Sequence, residues 1–470
     1  MNLRHSEIEI PKDGTDSFVN CKLDRKKYAD VLTSIVSGYN SGFVLAIDNK
    51  WGTGKTTFVK MWRQQLINQK YKTLYFNAWE NDFQEEVIIA LLSELEEFRN
   101  KGEQTFMTLV EKSATFLKKV FPTVVKGVAS KAIGDKAITE VVGAITEFTV
   151  DEVELQIKNY NEKKKGINDF RKALEEFVDN VDEDKPVVFI IDELDRCRPR
   201  YAVEVLEQIK HLFSVPGIVF VLSIDKVQLG NAVRGFYGSD LIDADEYLRR
   251  FIDLEYKIPK PNTQLFISHL YDYFAFDDFI KSPTRTNSSE FSHDKDGFKT
   301  ISNVLYSKGF SLRQIEKAFV RIRLTLRFFD FRQFVFPEVI ILLSYLHINH
   351  PDILNKIRNY KYSLQELVNE LDKILFTLSD NTNIRTVRFL LASFLCRYLN
   401  GYVSIYKQST IGLIDRHDPN HLKLRITSKL EDDSESLLKA VEYYKNHRFT
   451  DDVELDFILS KFDLTENLKN

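Results

Sequence analysis

Asn49, Lys50, Trp51, Gly52, Thr53, Gly54, Lys55 and Thr56 follow directly on the apolar run Phe43-Val44-Leu45-Ala46-Ile47. A strand that turns through small residues into a helix can aim several backbone N–H groups at one anion, and bulky Cβ substituents would obstruct them. Lys55 then supplies a point charge to the outer phosphates of a nucleoside triphosphate, Thr56 offers its hydroxyl to Mg²⁺, and Thr57 is counted with the loop. The usual loop begins with glycine. Asn49 stands there instead, and asparagine is the next most tolerant residue of left-handed backbone.

A second constellation supports the first. Val187-Val188-Phe189-Ile190-Ile191 reads as a strand buried on both faces, and it ends in the adjacent carboxylates Asp192 and Glu193, a Walker B pattern. Asp192 is placed to hold Mg²⁺ through water, and Glu193 to polarise the water that attacks the γ-phosphate. An acid at that second position points to hydrolysis rather than plain binding. Asp195 and Arg196 follow and are expected to pair and orient the acidic turn, with Arg196 alternatively reaching the nucleotide of a neighbouring subunit. Cys197, next to this turn, reads as a small packing residue, with a reactive thiol the alternative.

Further candidates are more open. Ser223 and Asp225 end a strand expected between the loop strand and the acid-ending strand, where either could sense the γ-phosphate or simply cap the strand end. Arg249 and Arg250, on a helix from Asp243 to Phe251, are candidates for an arginine reaching a neighbour's γ-phosphate, against surface pairing with Asp245 or Glu246. Arg313, on a helix with the apolar stripe Leu312, Ile315, Phe319, Ile322 and Leu326, is a candidate lid arginine over the phosphates. The same region, with Arg323, Arg327, Arg332 and the interleaved Phe328, Phe329 and Phe331, has the composition of a nucleic-acid surface.

The elements that must position these groups alternate. A helix is expected over residues 17–40, a strand at Phe43, a helix opened by the loop, a strand Thr73–Phe76 and a helix from about Gln84 to Arg99. Ile167, Phe170, Leu174, Phe177 and Val181 form a helical stripe before the acid-ending strand, a helix spans Ala202 to Phe213, and strands follow at Ile218–Ser223 and Ile252–Ile258. Strand–helix alternation predicts an α/β fold, a mostly parallel sheet wrapped by helices with the ligand at the strands' carboxyl edge, followed by an α-helical C-terminal region. Residues 103–150 read as a charged helical insert within a first domain of residues 1–260. Residues 261–350 read as a helical lid-like region, and residues 351–470 as a helical domain without a chemical motif.

In this order and spacing, Trp51-Gly52-Thr53-Gly54-Lys55-Thr56, Phe76-Asn77-Ala78-Trp79, Ile191 to Pro199 and Glu246 to Ile252 resemble the KAP family of P-loop NTPases over roughly residues 20–260. The chain departs from the family pattern at Asn49, at Glu193 where many members have a second Asp, and in the insert, where many animal members carry membrane spans. The resemblance implies a soluble bacterial-type member, of the kind associated with phage or plasmid exclusion and defence. With the site residues it gives the expectation of an ATPase that uses Mg²⁺ and acts as a molecular switch; Arg249 and Arg250 add self-association on nucleotide binding, and residues 260–470 supply no nuclease, protease or deaminase constellation, so effector chemistry falls to a partner protein. The alternatives are a nucleic-acid-stimulated loader or translocase, a nucleotide-bound interaction scaffold, and a P-loop kinase.

Composition narrows the field. The chain has 470 residues, enough for two or three domains, and a net charge of −4 leaves no global basic field to draw it onto nucleic acid or anionic lipid. Cys21, Cys197 and Cys396 lie far apart without metal-ligand spacing, which argues against a disulfide framework or a zinc site. Arg4, His5, Glu7 and Glu9 interrupt the first ten residues, and the apolar run Val339–Ile348 falls short of the ~20 residues that a spanning helix needs. The expectation is a cytoplasmic protein without a membrane span.

Overall fold

The computed structural model describes residues 8–39, 41–83, 87–120, 150–182, 184–287, 291, 294–407, 412–415, 422–431, 436–446 and 453–465. Much of the expected insert, residues 121–149, lies outside the described residues. The chain divides into two compact units, one running to Lys260 and the other from Pro261 onward.

The first unit is built on five strands: β1 (Phe43–Asp48), β2 (Thr73–Asn77), β3 (Val187–Asp192), β4 (Ile218–Ile224) and β5 (Leu254–Tyr256). They lie in the order β2-β3-β4-β1-β5, every neighbouring pair parallel. The β-branched and aromatic runs of β3 and β4 are buried throughout, as a parallel sheet covered on both faces requires. Side chains alternate between those faces. Val44, Ala46, Leu74, Phe76, Phe189, Ile191, Phe220 and Leu222 share one face with α3 (Val87–Leu95), α4 (Glu103–Val120), α5 (Val150–Val181), α6 (Pro199–Gln208) and α7 (Lys226–Tyr237). Leu45, Ile47, Val188, Ile190, Val219 and Val221 pack on the other against α1 (Lys26–Gly38) and α2 (Lys55–Asn68). By the same alternation Tyr75, Asn77, Asp192 and Ser223 fall on the α2 face.

Local differences from the sequence reading have physical causes. The first helix begins at Lys26 rather than near residue 17, because Ser17 to Leu23 form turns and Asp24 adopts a left-handed φ of 51°. The helix expected from Ala202 starts earlier, where Pro199 occupies a first-turn position that needs no N–H donor, and it ends in a π turn over Ile209–Phe213. The strand expected over Ile252–Ile258 contracts to β5, since the Asp253 carboxylate accepts from the Val44 N–H at 2.8 Å.

Among the described residues the second unit is helical apart from one short antiparallel strand pair, Ile414–Asp415 with Lys423–Leu424. Its centre is the helix Pro337–Asn349, in which Val339, Ile340, Ile341, Leu342 and Leu343 are fully buried. This explains the short apolar run seen in the sequence: it is core. No helix among the described residues is long and apolar enough to cross a membrane.

Candidate nucleotide site

β1 feeds a loop that turns through Gly52 (φ 73°) and Gly54 (φ 82°) into α2. Both backbone conformations suit glycine, and Gly54 at the helix N-cap has no side chain to occupy the first-turn N–H groups. Those donors point along the positive end of the helix dipole, the arrangement that receives a phosphate. Asn49 is explained differently from the expectation, because it is absent from the left-handed residues. Its amide instead donates to the Ile258 carbonyl (2.8 Å) and accepts from the Ile258 N–H (2.9 Å), pinning the loop to the chain after β5. Lys50 and Trp51 are exposed, and Thr56 and Thr57 sit half-buried in the first turn of α2.

Lys55 is buried and its ammonium donates to the Asn49 carbonyl across the loop. Burial pulls its pKa below the ordinary lysine range, opposed by the carboxylates of Asp195, Asp225, Asp192 and Asp48. Trp51 ties the loop to two of these acids: its backbone N–H donates to Asp225 at 3.2 Å, and its indole N–H donates to Asp195. Asp195 therefore partners the loop and not Arg196. Burial raises its pKa, while the indole bond and Lys55 hold it down.

Asp192 is buried at the end of β3, accepting from the Tyr75 hydroxyl at 2.9 Å and from the Glu193 N–H at 3.0 Å. Glu193 takes a left-handed φ of 63°, a conformation uncommon for a residue with a side chain. Its carboxylate is held between Arg196 at 2.7 Å and the Asn77 amide at 3.3 Å. Burial raises the Glu193 pKa and Arg196 lowers it. The Arg196 guanidinium also lies over the Trp79 ring, 5.7 Å from its centroid. Cys197 is buried and burial pushes its thiol far up, so it is no nucleophile.

Sequence reasoning singled out neither Tyr75 nor Asn77 as site residues. The signal was present in β2, where alternate positions near the strand's carboxyl end are polar. Its meaning depends on pairing with β3, which puts Asn77 opposite Asp192.

Ser223 lies opposite both Asp192 and Ile47, because β4 sits between β3 and β1. It is fully buried and its Oγ has no hydrogen-bond partner. Asp225 caps α7 by accepting from the Gln228 N–H at 3.4 Å, in addition to its bond from Trp51. Arg249 pairs with Glu246 at 3.0 Å on the surface, the surface pairing left open by the sequence. Arg250 is exposed and makes no hydrogen bond or ion pair through its guanidinium among the described residues. Arg313 is exposed on the helix Leu312–Leu326 of the second unit, whose apolar stripe is buried. Of the neighbouring arginine-aromatic run, Arg327, Phe328, Phe331 and Arg332 are exposed, and Arg323 and Phe329 are withdrawn from that surface. Arg323 donates to the Phe274 carbonyl at 2.8 Å, Arg321 lies 5.6 Å from the Phe462 ring centroid, and Phe329 is buried.

The donor set fits nucleotide and Mg²⁺. Around the loop are oxygen ligands, Asp192 and Thr56, the hard donors that Mg²⁺ selects, and Mg²⁺ takes its remaining ligands from water and substrate phosphates. No cluster of three or more His, Cys, Asp or Glu suited to a metal occurs among the described residues, which such a shared site does not need. The orphaned Ser223 hydroxyl beside Asp192 is the kind of buried polar atom that a bound ligand satisfies.

The KAP family P-loop domain matches residues 25–400, extending well past Lys260. No curated protein matches the sequence. Among solved structures, the ORC2 protein of Aeropyrum pernix, in ADPNP and ADP complexes, aligns at 16% identity over 93% of this chain and 98% of that one, with a TM-score of 0.31.

Proposed function

This chain belongs to the KAP family of P-loop NTPases, and from that premise we propose that it is a Mg²⁺-dependent ATPase that uses its nucleotide cycle as a molecular switch. The observation that carries the reading is the adjacency of Asp192 and Glu193 at the carboxyl end of β3, on the sheet face that also carries the loop and α2.

In this reading Lys55 exchanges the Asn49 carbonyl for the outer phosphates, and the first-turn N–H groups of α2 receive the inner ones. Thr56 and Asp192 would hold Mg²⁺, with Tyr75 orienting Asp192. Bound there, Mg²⁺ supplies charge neutralisation to the phosphate oxygens. Glu193, ionised, accepts a proton from the attacking water, while Asn77 and Arg196 orient it. Ser223 is placed to donate to the γ-phosphate or the water. Arg250, whose guanidinium has no hydrogen-bond or ion-pair partner among the described residues, serves a neighbouring subunit's nucleotide, so the protein self-associates when ATP is bound. A separate effector protein rests on the lack of a nuclease, protease or deaminase constellation in the sequence of residues 260–470, and a role in phage or plasmid defence on the family resemblance.

Calorimetry together with single-turnover hydrolysis tests this. Lys55→Ala is expected to lose nucleotide binding, since the loop cation is gone. Glu193→Gln is expected to bind ATP as the wild type does but to hydrolyse it at least about 10²-fold more slowly, because an amide accepts no proton. Unchanged affinity in the first variant would remove the nucleotide site, and unchanged hydrolysis in the second would move the base elsewhere, with Asp195 the next candidate.

A further inference from the structure

Arg25 precedes α1 and is 3% exposed, one of the most deeply buried cations of the first unit. Among the described residues its guanidinium makes one hydrogen bond, Nη1 to the Gly54 carbonyl of the phosphate loop at 3.2 Å, and its buried Nε has no partner. No carboxylate pairs with it among the described residues. The nearby acids are engaged elsewhere: Asp24 with Lys27 at 2.9 Å and Asp16 with Lys26 at 3.4 Å. The titratable groups that face it are Cys21 and Tyr28, a thiol and a phenol rather than carboxylates.

A guanidinium stays charged at any ordinary pH, and a charge removed from water without a counter-ion is costly. A carbonyl oxygen offsets that cost weakly. If the bond to Gly54 were Arg25's sole purpose, a neutral donor would serve without the desolvation of a full charge. The charge is therefore the feature that needs explaining, and it stands against the loop that the preceding reading assigns to a nucleotide.

We propose that Arg25 is a nucleotide-binding residue, a second fixed cation behind the phosphate loop whose counter-ion is the diphosphate of the bound nucleotide. This rests on the loop being a nucleotide site. Burial without a counter-ion follows from that role: the cation is held desolvated against the Gly54 carbonyl in the free protein, and the incoming anion supplies the opposite charge. Lys55 and Arg25 then bracket the start of α2 from two elements distant in sequence, so that nucleotide binding also ties the segment before α1 to the loop.

The test compares Arg25→Gln and Arg25→Lys in the full chain, with ADP as the calorimetric probe and the melting temperature of the nucleotide-free protein as the second readout. Glutamine can still donate to the Gly54 carbonyl but carries no charge; lysine keeps the charge without the fork. The proposal expects ADP affinity about 10- to 100-fold weaker in Arg25→Gln, within about fivefold of wild type in Arg25→Lys, and a nucleotide-free melting temperature for Arg25→Gln no lower than wild type. Wild-type ADP affinity in Arg25→Gln, or a lowered melting temperature with affinity unchanged, overturns it and leaves Arg25 a structural staple. Lys55→Ala, run beside them, separates the two readings. If that variant loses ADP while Arg25→Gln keeps it, Arg25 is misassigned and the loop stands; if the wild type itself binds no nucleotide, the loop reading fails first.

Discussion

Two opposing influences act on the Glu193 carboxylate. Burial raises its pKa, and the Arg196 guanidinium 2.7 Å away pulls it back toward the ionised form. A general base works only while ionised, so the fraction of competent enzyme falls as pH drops through this pKa. Removing Arg196 leaves burial unopposed by its largest counterweight and raises the pKa further. In Arg196→Gln the acid limb of the single-turnover rate is therefore expected to move to higher pH, with the rate at alkaline pH falling less than the rate at neutral pH. The pH profile measured beside wild type checks this, and an unmoved limb would mean that Arg196 holds the turn by packing on Trp79 instead. Asn77 contributes the smaller bond at 3.3 Å and is expected to shift the limb less.

The helix and strand elements repeat the logic at a larger grain. β1 begins just after Gly42, whose φ is +77° and where an added Cβ would stand 2.6 Å from the Val215 carbonyl and 2.9 Å from that of Ile218. Neither backbone oxygen can swing aside as a side chain would: Val215 lies on the approach to β4, the partner of β1, and Ile218 begins it. Gly42→Ala is expected to cost on the order of 2–4 kcal/mol, combining left-handed strain with a backbone clash, and to lower the melting temperature by several degrees. Gly38→Ala, with nothing within 4 Å of the added Cβ, is the control. The same contrast marks what the sequence could reveal. The parallel sheet, the loop before Lys55 and the acids after Ile191 were legible because each is a local pattern: apolar runs, small residues and charge at fixed spacing. The reason for Asn49, the partner of Asp195 and the place of Arg25 were not legible, because Ile258, Trp51 and Gly54 meet them through the packing of separate elements, and the pairing of Arg196 with Glu193 three residues back depends on the left-handed turn at Glu193. Periodicity found the elements; contacts between them assigned the partners.

At the scale of the whole molecule, the two arginines proposed to act on a neighbour's nucleotide are no longer equivalent. Arg249 has a surface partner in Glu246, an exposed pair that contributes little and can be exchanged, whereas Arg250 has none among the described residues. If nucleotide hydrolysis needs an arginine from a second copy, a site works when its own chain has Lys55 and the neighbouring chain has Arg250. An Arg250→Ala chain keeps the nucleotide site and lacks the donor; a Lys55→Ala chain lacks the site and keeps the donor. Each is expected to be inactive alone. Mixed in equal amounts, half of the sites have Lys55 and half of their neighbours have Arg250, so about one quarter of wild-type activity returns, for a two-fold dimer and a closed ring alike. Turnover per subunit should also rise with protein concentration, in step with an ATP-dependent increase in mass by light scattering. Recovery by an Arg249→Ala chain in place of Arg250→Ala would move the role to Arg249. Normal hydrolysis by both arginine variants, in a protein that stays monomeric with ATP bound, would end the trans-arginine proposal and leave each chain a self-contained switch.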